Sequence, residues 1–361
     1  MSGKIRFGIV GCGLISSFHA KAITAIPDAE LVACADLNME RAERLASQYG
    51  GIAVTDYVQL LEREDVDVIC ICTPNGAHEE IAVGAARAGK HMLVEKPLEV
   101  TLSKADHIIA EALKAKVKLG TVFQCRFRPA VVHIKKAIEQ GRFGRLVCGD
   151  VFMKWYRSEE YYRSEAWRSQ AEQGAGVLLQ HASHYVDLLQ WLFGPVKSVI
   201  GQTGNLAHPE IQAEDTAMAL LTYQNGAMGL VEASTAIFPG SEIRLEIHGE
   251  HGSAIVEGEA MRLWKFARPF PGDEEIAQTG SEARPAAAQG AADFNYFEHQ
   301  LLIEDMIAAI RQDREPAVGG SEGRKVLEII DAIRRSAAEE RAVAVSTEPK
   351  SLASSDRASL N

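Results

Sequence analysis

No stretch of this sequence reaches the roughly 18 consecutive apolar residues of a membrane-crossing helix, so no span is expected. There is no Cys-x-x-Cys pair either. Cys12, Cys34, Cys70, Cys72, Cys125 and Cys148 fit neither a zinc module nor a disulfide framework. Cys34, Cys70 and Cys72 stand inside apolar runs, where a thiol serves as a small hydrophobe. The opening MSGKIRFGIVGCG lacks the apolar stretch and cleavage site of an export signal, so the expectation is a reduced protein of the cytoplasm. Positive charge is also short: 38 Lys and Arg against 49 Asp and Glu give a formal charge of −11. With no basic run to offset that, nucleic acid is not an expected partner.

What is present is ordinary globular composition, 47% hydrophobic and 24% charged, over 361 residues. That length exceeds one compact core and implies two domains. The first third alternates short apolar runs with amphipathic stretches. Ile5–Val10, Glu30–Asp36, Ile52–Val54, Val66–Thr73, His91–Lys96 and Val117–Val122 read as strands. Helices are expected between them, at Ser16–Ile26, Met39–Tyr49, Val58–Arg63, Ala77–Ala88 and Ser103–Ala115. VDVICICT (66–73) is apolar throughout, as suits a parallel strand buried on both faces. The alternation predicts an α/β domain over 1–125, a doubly wound parallel sheet of the Rossmann kind.

The pattern changes at about residue 125. A helix at Pro129–Gln140 leads into a β-rich region. Its strands are expected at Leu146–Met153, Val196–Gln202, Thr216–Tyr223, Ala227–Ala236, Ile243–His248, Ser253–Glu257 and Arg262–Phe266. Asn225-Gly226 is a hairpin signal between two of them. Residues 126–345 therefore read as an α+β domain: one large, mostly antiparallel open sheet, with helices at Gly176–Leu192, Phe294–Arg311 and Glu322–Arg341. The small and polar stretch 276–292 reads as a surface loop, and 346–361 as a disordered tail.

GCGLIS (Gly11–Ser16) follows the first strand and opens the first helix. Gly11 supplies the tight turn, and Gly13 lets backbone approach a pyrophosphate. Leu14 and Ile15 carry the chain into the helix, whose free N–H groups attract the anion. Ser16 stands where Gly or Ala is usual. Asp36, 20 residues past Ser16, can accept both ribose hydroxyls and repels a 2′-phosphate, so NAD is expected and NADP disfavoured. Asp36 can equally cap the helix beginning near Met39.

Three further segments carry a resemblance: CTPNGAH (72–78), EKPLEVT (95–101) and GAGVLLQHASHYVDLLQWLFG (174–194). Together with EYYRSEAWR (160–168) and NGAMGLVEAS…PG (225–240), they resemble the glucose–fructose oxidoreductase / inositol dehydrogenase (Gfo/Idh/MocA) family over nearly the whole chain. The resemblance implies oxidation of a secondary hydroxyl on a sugar, polyol or inositol. It implies Lys96 as the group that exchanges the hydroxyl proton, assisted by His184. On spacing alone, Lys96 also fits a surface lysine paired with Glu95. Gln180 stands where family dehydrogenases carry an Asp; its amide can hydrogen-bond a sugar hydroxyl of the substrate but cannot act as a base. Asp187 shares the helix face with His184 and fits a substrate contact or the anchoring of backbone or an Arg equally, while His181 is expected to point elsewhere as a packing or subunit contact. Thr73, Pro74, Asn75, His78, Glu95 and Gln124 are implied cofactor contacts. Trp167 and Arg168 are implied cofactor or substrate contacts, with Tyr161, Tyr162 and Arg163 lining a sugar pocket. Arg126, Arg163 and Arg168 are candidates for an anionic substrate group. His181 and His184 lack companion ligands, so no metal is expected. The family's second sheet commonly forms subunit contacts, which implies a homo-oligomer, a dimer or tetramer. Two other readings stay open: an NAD-retaining, glycoside-processing enzyme working by transient oxidation and elimination, and a non-enzymatic sensor of the same fold.

Overall fold

A computed structural model of the chain describes residues 3–281 and 296–345. Six strands form the first sheet: β1 (Ile5–Val10), β2 (Ala29–Ala35), β3 (Ile52–Val54), β4 (Val68–Ile71), β5 (His91–Glu95) and β6 (Leu119–Val122). All pairs are parallel, in the order β3-β2-β1-β4-β5-β6. This is the Rossmann order, and it reverses direction between β1 and β4. The four residues of β4 are all buried, which is what the unbroken apolar run required.

The second sheet has eight strands: β7 (Leu146–Lys154), β8 (Val196–Gly204), β9 (Thr216–Tyr223), β10 (Met228–Ser234), β11 (Arg244–Gly249), β12 (Gly252–Glu257), β13 (Ala260–Phe266) and β14 (Val343–Ala344). The order is β13-β12-β11-β7-β10-β9-β8-β14, antiparallel except for the parallel pair β7 and β10. β9 alternates buried Ala217, Ala219, Leu221 and Tyr223 with outward Met218 and Leu220, the period of a sheet covered on one face. The two-residue β14 is too short to have a hydrophobic period of its own.

Two C-terminal helices join the layers. Phe297–Gln312 packs Leu302, Ile303 and Met306 onto Phe7, Ile9 and Leu93 of the first sheet. Gly320–Glu339 spans both sheets. Its Gly323 sits so close to β6 that a Cβ there would come within 2.6 Å of Thr121 Oγ1. Its Glu322 joins a buried ion cluster: Arg126 reaches Asp187 with Nε and Nη2 at 2.8 and 2.5 Å, and Glu322 with Nη2 at 2.8 Å.

The helix expected over Gly176–Leu192 is π-helical at Leu178–Ala182 and α-helical at Ser183–Phe193. Of the expected loop, Ile276 closes the short helix Asp273–Ile276. Residues 282–292 and the tail 346–361 lie outside the described residues. Among the described residues no helix is long and apolar enough to cross a membrane.

Candidate functional site

A cleft of about 990 Å³ opens along the C-terminal edge of the first sheet and is closed on its far side by the second-domain helix and loops. At one end β1 runs into Gly11, whose φ of +90° favours glycine. A Cβ at Gly11 would also lie 2.7 Å from the Cys72 carbonyl carbon. At Gly13 a Cβ would meet nothing within 4 Å, so the backbone here faces open cleft. Leu14 and Ile15 line this stretch, and the helix Ser16–Ala25 starts with no side-chain cap on its N–H groups. Ser16 is fully buried and its hydroxyl donates to the Gly13 carbonyl at 2.6 Å, so the departure from Gly or Ala is absorbed locally.

Asp36 faces the same end. Its carboxylate accepts from Cys12 N at 2.7 Å and from Asn38 N at 2.8 Å, which fixes it before any ligand arrives. The helix cap is Asn38, whose side chain accepts from Glu40 N and Arg41 N, not Asp36. Arg41 also lines this end, with its guanidinium 3.1 Å from Glu165.

Further along, Thr73, Pro74, Asn75 and Gln124 border the cleft. Thr73 Oγ1, Asn75 Nδ2 and Gln124 Oε1 are buried there without a hydrogen-bond partner. A glycine turn open to the cleft, a fixed carboxylate and three orphaned polar atoms fit a dinucleotide laid across the sheet edge.

Lys96 follows the last residue of β5. Its Nζ donates to the Gln180 carbonyl oxygen at 2.7 Å. Burial pushes its pKa down, against the opposing pull of Glu95 and Cys125. Opposite it, His184 packs edge-on against Phe123, ring centroids 5.9 Å apart, with Nδ1 unpartnered. Burial first, then the charge of Lys96, push His184 well below the usual imidazole range. His181 also lines the cleft, against Trp155 at 5.8 Å, which corrects the expectation that it points away. The π segment is the cause. Its i→i+5 bonding adds a residue to the turn, so Gln180, His181 and His184 all reach the cleft. The Gln180 side chain donates to the Arg168 carbonyl at 2.9 Å and so braces the segment carrying Trp167 and Arg168, both at the cleft.

Four expected site residues are absent from the cleft lining. Asp187 is fully buried against Arg126. Tyr162 is buried and donates to Thr235 Oγ1 at 2.8 Å. Arg163 is exposed and paired with Glu159 at 2.6 Å. The His78 ring lies between the carbonyl oxygens of Pro97 and Thr73, at 3.0 and 3.1 Å, and braces the two loops that carry Lys96 and Thr73. Of the three arginines considered for an anion, Arg168 alone lines the cleft. Arg128 and Arg157 join it there. Arg157 lies over the Trp155 ring at 4.7 Å, and Arg168 over Tyr161 at 4.3 Å.

Behind Lys96, Glu95 meets two histidines, His19 and His299. The latter comes from a helix some 200 residues away and had no local signal. Among the described residues these three form one group of metal-ligand type, with their atoms within 4.8 Å of one another. His19 Nε2 and Glu95 Oε1 are only 2.7 Å apart, a hydrogen-bond contact shorter than the roughly 3.3 Å spacing of two ligands on a tetrahedral ion.

A half-buried lysine set in a dinucleotide cleft is the arrangement of a nicotinamide-dependent oxidoreductase. Residues 5–123 match the model of an oxidoreductase family's NAD-binding Rossmann fold. Residues 135–345 match that family's C-terminal alpha/beta domain. The chain belongs to the Gfo/Idh/MocA oxidoreductases, and its cofactor is NAD. Among curated proteins it is 28% identical over 354 residues to inositol 2-dehydrogenase of Rhizobium meliloti, covering 94% of this chain and 99% of that one. Among solved structures it resembles the WlbA dehydrogenase of Bordetella pertussis in complex with NADH and UDP-GlcNAcA: 36% identity, TM-score 0.86, 96% of this chain and 99% of that one. A levoglucosan dehydrogenase in complex with NADH and levoglucosan gives 27% identity and a TM-score of 0.82, covering 96% of this chain and all of that one.

Proposed function

We propose that this chain oxidises a secondary hydroxyl of a carbohydrate that carries an acidic group, a uronate or a sugar nucleotide. The observation that carries the reading is the half-buried Lys96 amine in the cleft, with the neutral His184 facing it across the same cleft. Bound NAD⁺ supplies the hydride acceptor. Lys96 Nζ takes the hydroxyl proton as the carbonyl forms. Burial keeps a larger share of that amine uncharged and basic than in water. His184, held neutral, orients the hydroxyl through its free ring nitrogen. Gln180 does no proton transfer. It holds the Lys96 amine through its carbonyl and the Arg168 segment through its amide.

The relatives named for inositol and levoglucosan support a hydroxyl on a ring as the target. The acidic group is supported by Arg128, Arg157 and Arg168 on the second-domain side of the cleft, and by the UDP-GlcNAcA held by the WlbA structure. The six unpaired thiols fit action in the reducing cytoplasm. We further read the outward face of the second sheet as a self-association surface. Ile200, Met218, Leu220 and Met228 are exposed there, and Ile200 pairs with Leu220 across β8 and β9.

The test is a turnover screen of neutral sugars, inositols, uronates and sugar nucleotides with NAD⁺, following release of NADH. Acidic substrates should turn over with the higher kcat/KM. Equal use of neutral polyols removes the acidic part of the reading. Absence of released NADH with every class removes the dehydrogenase itself and favours transient oxidation or a sensor.

A further inference from the structure

His19 on the helix Ser16–Ala25, Glu95 at the end of β5 and His299 on the helix Phe297–Gln312 form a buried network directly behind Lys96, exposed by 1%, 7% and 2%. His19 Nε2 lies 2.7 Å from Glu95 Oε1, and His299 Nε2 lies 3.8 Å from the same oxygen. The two imidazoles meet edge to face at 5.1 Å. The other carboxylate oxygen, Oε2, accepts from the Lys96 backbone N–H at 3.2 Å. The carboxylate is therefore anchored on the lysine's own peptide.

We propose that His19 is a positioning residue for Lys96: its imidazolium, held on Glu95, cancels a negative charge that would otherwise keep the lysine in its ammonium form. A buried ion pair is weak evidence for stability, since desolvating both partners costs about what their attraction returns. Its place is better explained by what it does to a third group. A lone carboxylate behind Lys96 favours the charged amine, the wrong state for accepting a proton. Paired with a cation, the same carboxylate still anchors the backbone while its field at Lys96 is weakened. Burial is then free to hold the amine uncharged.

The surrounding groups agree with this assignment. Burial pushes His19 down, and the Glu95 carboxylate 2.7 Å from its Nε2 pulls it back up. The Cys72 thiol is itself pushed up to about 11 by burial, so Glu95 is the counter-charge that His19 meets. Burial pushes Glu95 up, but the hydrogen bond with His19 and the nearby His299 ring outweigh it and hold the carboxylate well below its usual range. His299 is pushed down by burial and stays a neutral partner. On the opposite side Lys96 faces Cys125, which burial keeps as a thiol, and His181 and His184, both pushed well down. Arg128 and Glu298 line the same cleft with opposite charges.

The inference rests on Lys96 as the proton acceptor, and its test reads the amine without any substrate. The full-length apo protein is labelled with trace acetic anhydride across a pH series, and acetylation of Lys96 is followed by peptide mass spectrometry. In H19Q the glutamine keeps a donor but no charge, and the midpoint of Lys96 labelling should rise by about one pH unit. In E95Q the residual pull of the carboxylate is gone, and the midpoint should fall by a smaller amount. H19Q/E95Q should follow E95Q. Two shifts of opposite sign are not what a merely structural pair gives. Shifts of the same sign, or midpoints indistinguishable from the parent's, overturn the inference. If H19Q does not fold, E95Q decides alone, since the absence of a downward shift is enough to overturn it. Opposite shifts in a protein that oxidises no carbohydrate would sink the functional reading and leave this inference standing. Turnover without the shifts would do the reverse.

Discussion

The Nζ of Lys96 donates a 2.7 Å hydrogen bond to the backbone carbonyl oxygen of Gln180. The first partner directly follows a strand of the Rossmann sheet. The second lies in the π-helical turn of the other domain. The amine is therefore located by both halves of the molecule at once. Lys96→Met keeps the apolar stem and removes the amine. It should cost about 10²–10⁴-fold in kcat, the usual weight of a general base. Binding of NAD⁺ should stay close to that of the parent, because Gly11, Gly13 and Asp36 are untouched. Steady-state kinetics beside a fluorescence titration with NAD⁺ checks both halves.

The directions of the two pKa shifts give the pH dependence its sign. Lys96 is lowered from an ordinary value near ~10.4, and its uncharged form is the one that accepts a proton. Alcohol oxidation should therefore rise with pH through the lowered lysine value, and carbonyl reduction should fall through the same range. His184 is pushed well below ~6.5 and stays neutral over that window, so it contributes no limb there. His184→Gln should lower the rate and keep the rising limb, whereas Lys96→Arg should abolish it. A log kcat/KM profile for each variant decides. A limb lost in His184→Gln would assign the proton to the imidazole.

Asp36 offers a cleaner test of cofactor choice. Its carboxylate is already fixed by Cys12 N and Asn38 N, so ribose hydroxyls meet a prepared acceptor. A hydrogen bond to a charged group is worth about 1.5–3 kcal/mol, or roughly 10–100-fold. Asp36→Ala should raise the KM for NAD⁺ by about that factor. It should also improve NADP⁺ relative to NAD⁺, since the repelling charge is gone and Arg41 remains at the same end of the cleft. An unchanged NADP⁺/NAD⁺ ratio in parallel assays would remove Asp36 from the ribose site.

How far this was legible from the residues depends on the kind of signal. β4 was readable because both its faces are buried, and every position then had to be apolar. Gly11, Asp36 and Lys96 were readable because strand ends of a parallel sheet meet at one edge, so chain position fixes spatial position. His181 was misplaced because regular helical spacing was assumed through a turn that is π-helical. Arg128, Arg157 and His299 were invisible as site residues. They converge from a 3₁₀ turn, a strand end and a C-terminal helix, and only tertiary packing brings them to one cleft. Asp187 fitted a substrate contact and an arginine anchor equally well, and packing decides for the anchor. It is three residues from His184 on one helix, but Arg126 already occupies the space it faces.

That last pair makes the sharpest separation between a binding role and a structural one. Asp187 is fully buried, and Arg126 grips it with two nitrogens while also reaching Glu322, so the cluster ties the connection after β6 to two second-domain helices. Asp187→Ala leaves the Arg126 cation buried with half its partners, and breaking such a pair costs about 3–5 kcal/mol. Glu322 remains to share the charge, so the loss should fall near the lower end. Replacing both members, as Arg126→Met with Asp187→Leu, removes the stranded charge and should restore most of the stability. Urea unfolding of the three proteins reads this directly. At temperatures where Asp187→Ala stays folded, its KM for the carbohydrate should match the parent's, because the side chain does not reach the cleft. A raised KM with unchanged stability would return Asp187 to the substrate site.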